Sequence, residues 1–258
     1  MTKSADEVAL AGELLGQGLS KSEVARRLGV ARATLRDWQA SGFEALEERR
    51  RSAPSTHLAE YLEPCPFVAS APRRDFAYLL GLYLGDGCLT EMPRRVFKLR
   101  IQCCDWYPGL MDQCQAAMEA VLPNNKVGRV HSIGCTELHS HSKHWICFFP
   151  QHGPGRKHER PIELAPWQQS IVDEYPEQLL RGLIHSDGTR VTNRVQTRGK
   201  RYEYLRYFLS NESRDILEIF GATCDAIGVE WRFNRPNSIS IAKRASVARL
   251  DEFVGPKF

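Results

Sequence analysis

The 258-residue sequence has no uncharged apolar run long enough to cross a membrane; the longest, Phe76 to Gly85, is about half of what a span needs. The segment Met1-Thr2-Lys3-Ser4-Ala5-Asp6-Glu7 runs into charged residues with no apolar signal core. A cytoplasmic protein with no membrane partner is therefore expected. Neither sign of charge is in large excess: 35 basic against 31 acidic residues leave +4. That excludes an acidic solvating tail and a chromatin-type polycation. Gly and Pro, at 19 and 14 residues, are not enriched, and 42% of the chain is apolar, which excludes collagen-like and disordered classes. Eight cysteines could make four disulfides. In a chain this long without a secretory signal, free thiols are expected instead.

What is present divides into three parts. Residues 1–48 predict three short helices. The first spans Asp6 to Leu15, the second follows Ser20, and the third spans Ala31 to Ala40. Ser20 stands three residues before Glu23 in a capping-box pattern, and Gly29 breaks the second helix. Residues 49–75 hold Arg49-Arg50-Arg51, then Pro54, Pro64, Pro66 and Pro72, and read as a linker.

Residues 76–258 contain an internal repeat, at about 76–160 and 176–258. Tyr78-Leu79-Leu80-Gly81-Leu82-Tyr83-Leu84-Gly85-Asp86-Gly87 returns as Leu179-Leu180-Arg181-Gly182-Leu183-Ile184-His185-Ser186-Asp187-Gly188. After each copy a hairpin, a helix and a second strand pair are predicted, closed by a Gly-Pro element. The interval from Asp86 to Lys157 is 71 positions, and from Asp187 to Lys257 it is 70. Small residues four apart, Gly81/Gly85 and Gly182/Ser186, suit two helices packed backbone to backbone.

Two resemblances follow from these residues. Lys21 to Ala40 resembles a helix-turn-helix of the homeodomain-like kind, with Ala25 at the helix crossing, Gly29 in the turn and Leu35 in the core. Its recognition helix would present Arg32, Ala33, Arg36 and Asp37 to bases, with Lys21, Arg26 and Arg27 reaching phosphates. The duplicated Asp-Gly helices resemble the LAGLIDADG motif of homing endonucleases, in the two-motif, single-chain form. The fold implied is α+β: a three-helix module joined to a duplicated αββαββα domain with two saddle-shaped antiparallel sheets. The resemblance further implies Asp86 and Asp187 side by side, binding Mg²⁺ or another divalent cation. Lys157 and Lys257 would organise water and phosphate charge beside them. An Asp-Gly helix stop is the structural alternative for the two aspartates. His185 stands where the family often has another acid.

The hairpins supply the expected DNA surface. Arg94, Arg95, Lys98 and Arg100 follow the first motif, and Arg190, Arg194, Gln196, Arg198, Lys200, Arg201 and Arg206 the second. Alternation from Arg190 through Thr192 and Arg194 to Gln196 and Arg198 puts long donors on one face of a ribbon that fits the major groove. Charge is local: residues 20–36 carry +4, residues 90–104 carry +3 and residues 189–206 carry +5, leaving −8 for the rest. Cys135, His139, His141, His144 and Cys147 invite a zinc reading. They contain no Cys-x-x-Cys pair, and His139 and His141 fall on a strand, which argues against it. The expected function is a monomeric, internally pseudo-dimeric endonuclease that hydrolyses both strands of double-stranded DNA. The alternative is a relative that no longer cuts and serves as a DNA-binding transcriptional regulator.

Overall fold

The computed structural model describes residues 5–30, 32–43, 65–197 and 199–257. Of the expected features, linker residues 49–64, Arg198, and the side chains of Ala33, Asp37 and Lys200 lie outside the described residues. Three helices open the chain: α1 (Ala5–Gly16), α2 (Lys21–Leu28) and α3 (Arg32–Ser41). They share a core of Val8, Ala11, Val24, Ala25, Leu35 and Trp38. Gly29 ends α2 in the left-handed region at φ 60°, which suits its missing Cβ. Half of the expected capping box forms. The Ser20 hydroxyl accepts from the Glu23 amide at 3.3 Å, while the Glu23 carboxylate pairs with Arg26 and Arg27.

The first repeat runs α5 (Arg73–Asp86), β1 (Gly87–Met92), β2 (Val96–Cys104), α6 (Pro108–Val121), β3 (Val127–Ser132), β4 (Cys135–Ser142) and α7 (Trp145–Phe148). The second runs α9 (Pro176–Asp187), β5 (Gly188–Thr197), β6 (Lys200–Ser210), α10 (Arg214–Ala226), β7 (Arg232–Arg235), β8 (Ser238–Ile241) and α11 (Arg244–Asp251). Sheet orders β1-β2-β4-β3 and β5-β6-β8-β7 are the same in each, and every pairing is antiparallel. The duplicated helix–sheet–helix expectation holds.

Two helices fall outside the sequence reading. Helix α4 (Pro66–Ser70) and the start of α5 at Arg73 occupy the end of the segment read as linker. Pro66 stands in the first turn, where its missing N–H costs nothing, and Val68 is buried in the core of the duplicated domain. Helix α8 (Pro166–Glu174) joins the repeats and also starts at a proline.

Helices α5 and α9 form the centre. Every residue of α5 from Phe76 to Leu84 is buried, so its apolar run belongs to a core helix enclosed on all sides. None of the described helices is long and apolar enough to cross a membrane. On each sheet, alternate residues turn inward. Leu99 and Ile101 of β2, and Tyr207 and Leu209 of β6, are buried, which leaves Lys98, Arg100, Gln102 and Arg206 on the other face.

Candidate active site and nucleic-acid interface

The centre of the site follows from glycine. A Cβ on Gly81 would stand 2.9 Å from the Gly182 Cα, and a Cβ on Gly182 equally close to the Gly81 Cα. The two motif helices thus touch through their backbones, and their C-terminal ends converge. A Cβ on Gly85 would lie 3.1 Å from Oδ2 of Asp187, so the second carboxylate rests over the residue preceding Asp86. Two helix C-termini and two acids concentrate negative charge at one point.

Burial is the main cause that raises the Asp86 carboxyl, to about 6, with Asp187 as the second cause; Lys157 and Lys257 oppose both. One side of Asp86 opens to solvent while protein crowds the others. Burial also raises Asp187, against a 2.6 Å hydrogen bond that Asn211 Nδ2 donates to its Oδ2. Neither acid caps its helix: the helix ends are closed by the backbone N–H groups of Gly87 and Gly188.

The two lysines reach the site on matching loops, each preceded by a left-handed glycine, Gly155 at φ 76° and Gly255 at φ 72°. Their bonding differs. Lys157 Nζ donates to three carbonyls at the end of α5: Tyr83, Leu84 at 3.0 Å and Gly85 at 2.8 Å. An ammonium has three donors, so all are used. Burial lowers Lys157 to about 8, against the pull of Asp187 and Asp86. Lys257 Nζ donates once, to the Gly188 carbonyl at 2.5 Å. It lines a cavity of about 140 Å³ together with Asp86, Gln102, Tyr107, His185 and Ser186.

His185 holds this corner together. Its Nε2 lies 2.8 Å from the Val254 carbonyl, so it donates there, and Nδ1 accepts from the Tyr78 hydroxyl at 2.9 Å. A neutral imidazole thereby ties α5, α9 and the segment that carries Lys257. Burial lowers it to about 4.

The basic faces contain acids that the local charge counts did not reveal. Glu137 of β4 lies 2.6 Å from Lys98, 3.6 Å from Arg100 and 3.6 Å from His139. Burial pushes its carboxyl up, but the Lys98 hydrogen bond and the charges of Lys98, Arg100 and His139 together outweigh burial and hold it below the usual range. Asp251 accepts from Arg190 Nε and Nη2, both at 2.7 Å, and from the Tyr207 hydroxyl at 2.6 Å. Arg194 meets Glu203, the one acid counted within its own hairpin, at 3.0 Å. Arg206, expected on the DNA surface, is instead buried. Its Nη2 donates to Ser240 Oγ at 2.5 Å and its guanidinium lies 4.7 Å from the Phe208 ring centre. The Tyr204 and Phe208 rings flank its guanidinium and help keep it from solvent.

Arg32, Arg36, Lys21, Arg26, Arg27, Gln196 and Arg201 are exposed, as are Arg94 and Arg95. The last two form the β1–β2 turn with φ of 65° and 56°, left-handed values that cost a side-chain-bearing residue about 1–2 kcal/mol. Among the described residues no ion pair engages either one. Arg94→Gly is therefore expected to raise stability in urea unfolding by about 1 kcal/mol, and to weaken DNA retention with a shallower salt dependence.

No family model and no curated protein matches the chain. Solved structures similar to it include homing endonucleases, among them a LAGLIDADG meganuclease. I-DmoI in complex with DNA and Mn is 15% identical, covering 72% of this chain and 99% of that one at a TM-score of 0.46. The LAGLIDADG meganuclease I-AabMI bound to uncleaved DNA is 12% identical, covering 69% and 82% at 0.46. The homing endonuclease I-WcaI bound to its DNA recognition sequence is 14% identical, covering 72% and 83% at 0.45.

Proposed function

We propose that this chain is a site-specific DNA endonuclease that acts as a monomer, with its two repeats addressing the two strands of double-stranded DNA. One observation carries the reading: two carboxylates held together at the converging ends of α5 and α9, one of them accepting no hydrogen bond among the described residues. A fold does not retain such repulsion for stability. Hard oxygen donors are the ligands Mg²⁺ or a related divalent ion prefers, and Asp86 and Asp187 would hold it. When bound, that ion would lower the pKa of water and stabilise the departing 3′ oxygen.

The chain's own residues do the rest. Lys257, with one hydrogen bond among the described residues, lines the cavity beside Asp86 and is the lysine suited to holding a phosphate oxygen. Lys157 neutralises the C-terminal end of α5 and so keeps Asp86 in place. The exposed faces of β1–β2 and β5–β6 supply donors to bases and phosphates. The exposed Arg194–Glu203 pair can exchange for phosphate at little cost because exposed pairs contribute little. The three-helix module adds a second DNA contact, which raises effective concentration at a composite site.

The lysine division is testable. Lys257→Met is expected to lower kcat about 10²-fold with unchanged stability in urea unfolding, whereas Lys157→Met lowers the stability as well, by about 2–3 kcal/mol. Loss of stability in both variants would assign both lysines to the fold. For the function itself, the assay is incubation with Mg²⁺ and plasmid carrying DNA from the gene's own neighbourhood. Linear product at a defined site is expected. Specific retention with no strand cut across divalent metals would overturn the nuclease and leave a DNA-binding regulator.

A further inference from the structure

Cys65, His144 and Cys147 converge away from the paired aspartates. One ligand atom from each lies within 4.8 Å of the other two, and all three residues are half-buried. They come from two stretches of chain. Cys65 immediately precedes α4, while His144 and Cys147 stand three residues apart across the first turn of α7 and so share a face. The Phe67 ring stacks on His144 with centres 3.8 Å apart and planes at 26°, which fixes the imidazole plane from the Cys65 side.

We propose that Cys65, His144 and Cys147 bind a soft divalent cation of the zinc class. Two thiolates and one imidazole are the donors zinc prefers over the hard ions suited to Asp86 and Asp187. With Zn–S near 2.3 Å and Zn–N near 2.0–2.1 Å, tetrahedral donor atoms stand about 3.4–3.8 Å apart, so the observed spacing closes by a shift of about 1 Å or less. The fourth position is left to water. Binding displaces the thiol protons of Cys65 and Cys147 to solvent, forming two metal–thiolate bonds.

The metal would fasten the point where residue 65 joins the duplicated domain to the turn after β4. This is independent of whether the paired aspartates cut DNA. Sequence spacing pointed to His144 and Cys147 but gave no sign of Cys65, 79 positions upstream of His144.

The test uses the full chain, tag-free and reduced, loaded with Zn²⁺ and desalted, with Co²⁺ as a spectroscopic probe. One zinc per chain is expected by elemental analysis, with the intense visible bands and thiolate charge-transfer absorption of tetrahedral cobalt. Cys65→Ser and Cys147→Ser should lose both signals, and Asp86→Asn should keep them. A chelator should lower the melting temperature of the wild type but not of Cys65→Ser. Absence of the cobalt spectrum in folded wild-type protein would overturn the proposal. So would a stoichiometry unchanged in Cys65→Ser, or a Cys65–Cys147 disulfide found in the freshly reduced and desalted chain.

Discussion

Asp86→Asn and Asp187→Asn are each expected to lower DNA cleavage by about 10³-fold or more, with affinity for the target changed by less than about threefold. The size follows from losing several kcal/mol of charge stabilisation at the reacting phosphate when one oxygen donor becomes a neutral amide. The metal-free fold should respond in the opposite direction. Folded Asp86 titrates at about 6, against about 4 for an unfolded carboxyl. Between those values the folded state keeps a proton that the unfolded state has lost, so wild-type stability falls as pH rises through this window and stays lower above it. The Asp86→Asn substitution removes that loss, giving a gain over wild type that is present above pH 6 and absent below about 4. Water on the open side of Asp86 screens the repulsion, so the gain is about 1 kcal/mol, or roughly 2–4 °C in melting temperature. Thermal unfolding across pH, paired with nicking assays, reads both effects. Destabilisation in both variants would return the aspartates to the role of helix stops.

The legible parts of this chain were those with a local or repeated signal. Small residues four apart and a recurring Asp-Gly marked the paired helices, and the nearly equal spacings of 71 and 70 positions to Lys157 and Lys257 marked the duplication. The two sheets then followed in matching order. Four prolines made residues 49–75 read as linker, yet Pro66 opens α4 because its ring suits a first helical turn. The basic hairpins were visible, but their acids were not: Glu137 lies opposite Gln102, beside Lys98 and Arg100, through β-pairing, and Asp251 meets Arg190 across 61 residues. Counting charge along the chain cannot find partners that only sheet register, for Glu137, or packing of a helix on the sheet, for Asp251, brings together. Equivalent lysines in the repeat also acquired different bonds. Lys157 is enclosed by the end of α5 and lies 4.9 Å from the Tyr83 ring centre, whereas Lys257 sits on the chain's last described residues with a single carbonyl partner.

The largest effect on the fold is expected at Gly182. A Cβ there would press on the Tyr78 carbonyl oxygen and stand 2.9 Å from both the Gly81 Cα and the Leu82 amide nitrogen. These neighbours are backbone atoms inside α5, so no rotamer change relieves the contact and the helices must separate. Gly182→Val is accordingly expected to cost more than about 4 kcal/mol, enough to abolish a cooperative urea transition, because overpacking here cannot relax. Gly85 provides the contrast. Its nearest neighbours are the Ser186 hydroxyl and Cβ, with Asp187 Oδ2 next at 3.1 Å. Gly85→Ala should therefore be destabilising alone and largely rescued by Ser186→Gly, a coupling a double-mutant cycle measures directly. Such a rescue would not extend to activity, because the added methyl still lies against the Asp187 carboxylate. A variant that refolds yet cuts slowly would separate helix packing from placement of the two acids, whereas full recovery of cutting would show that the acids tolerate displacement.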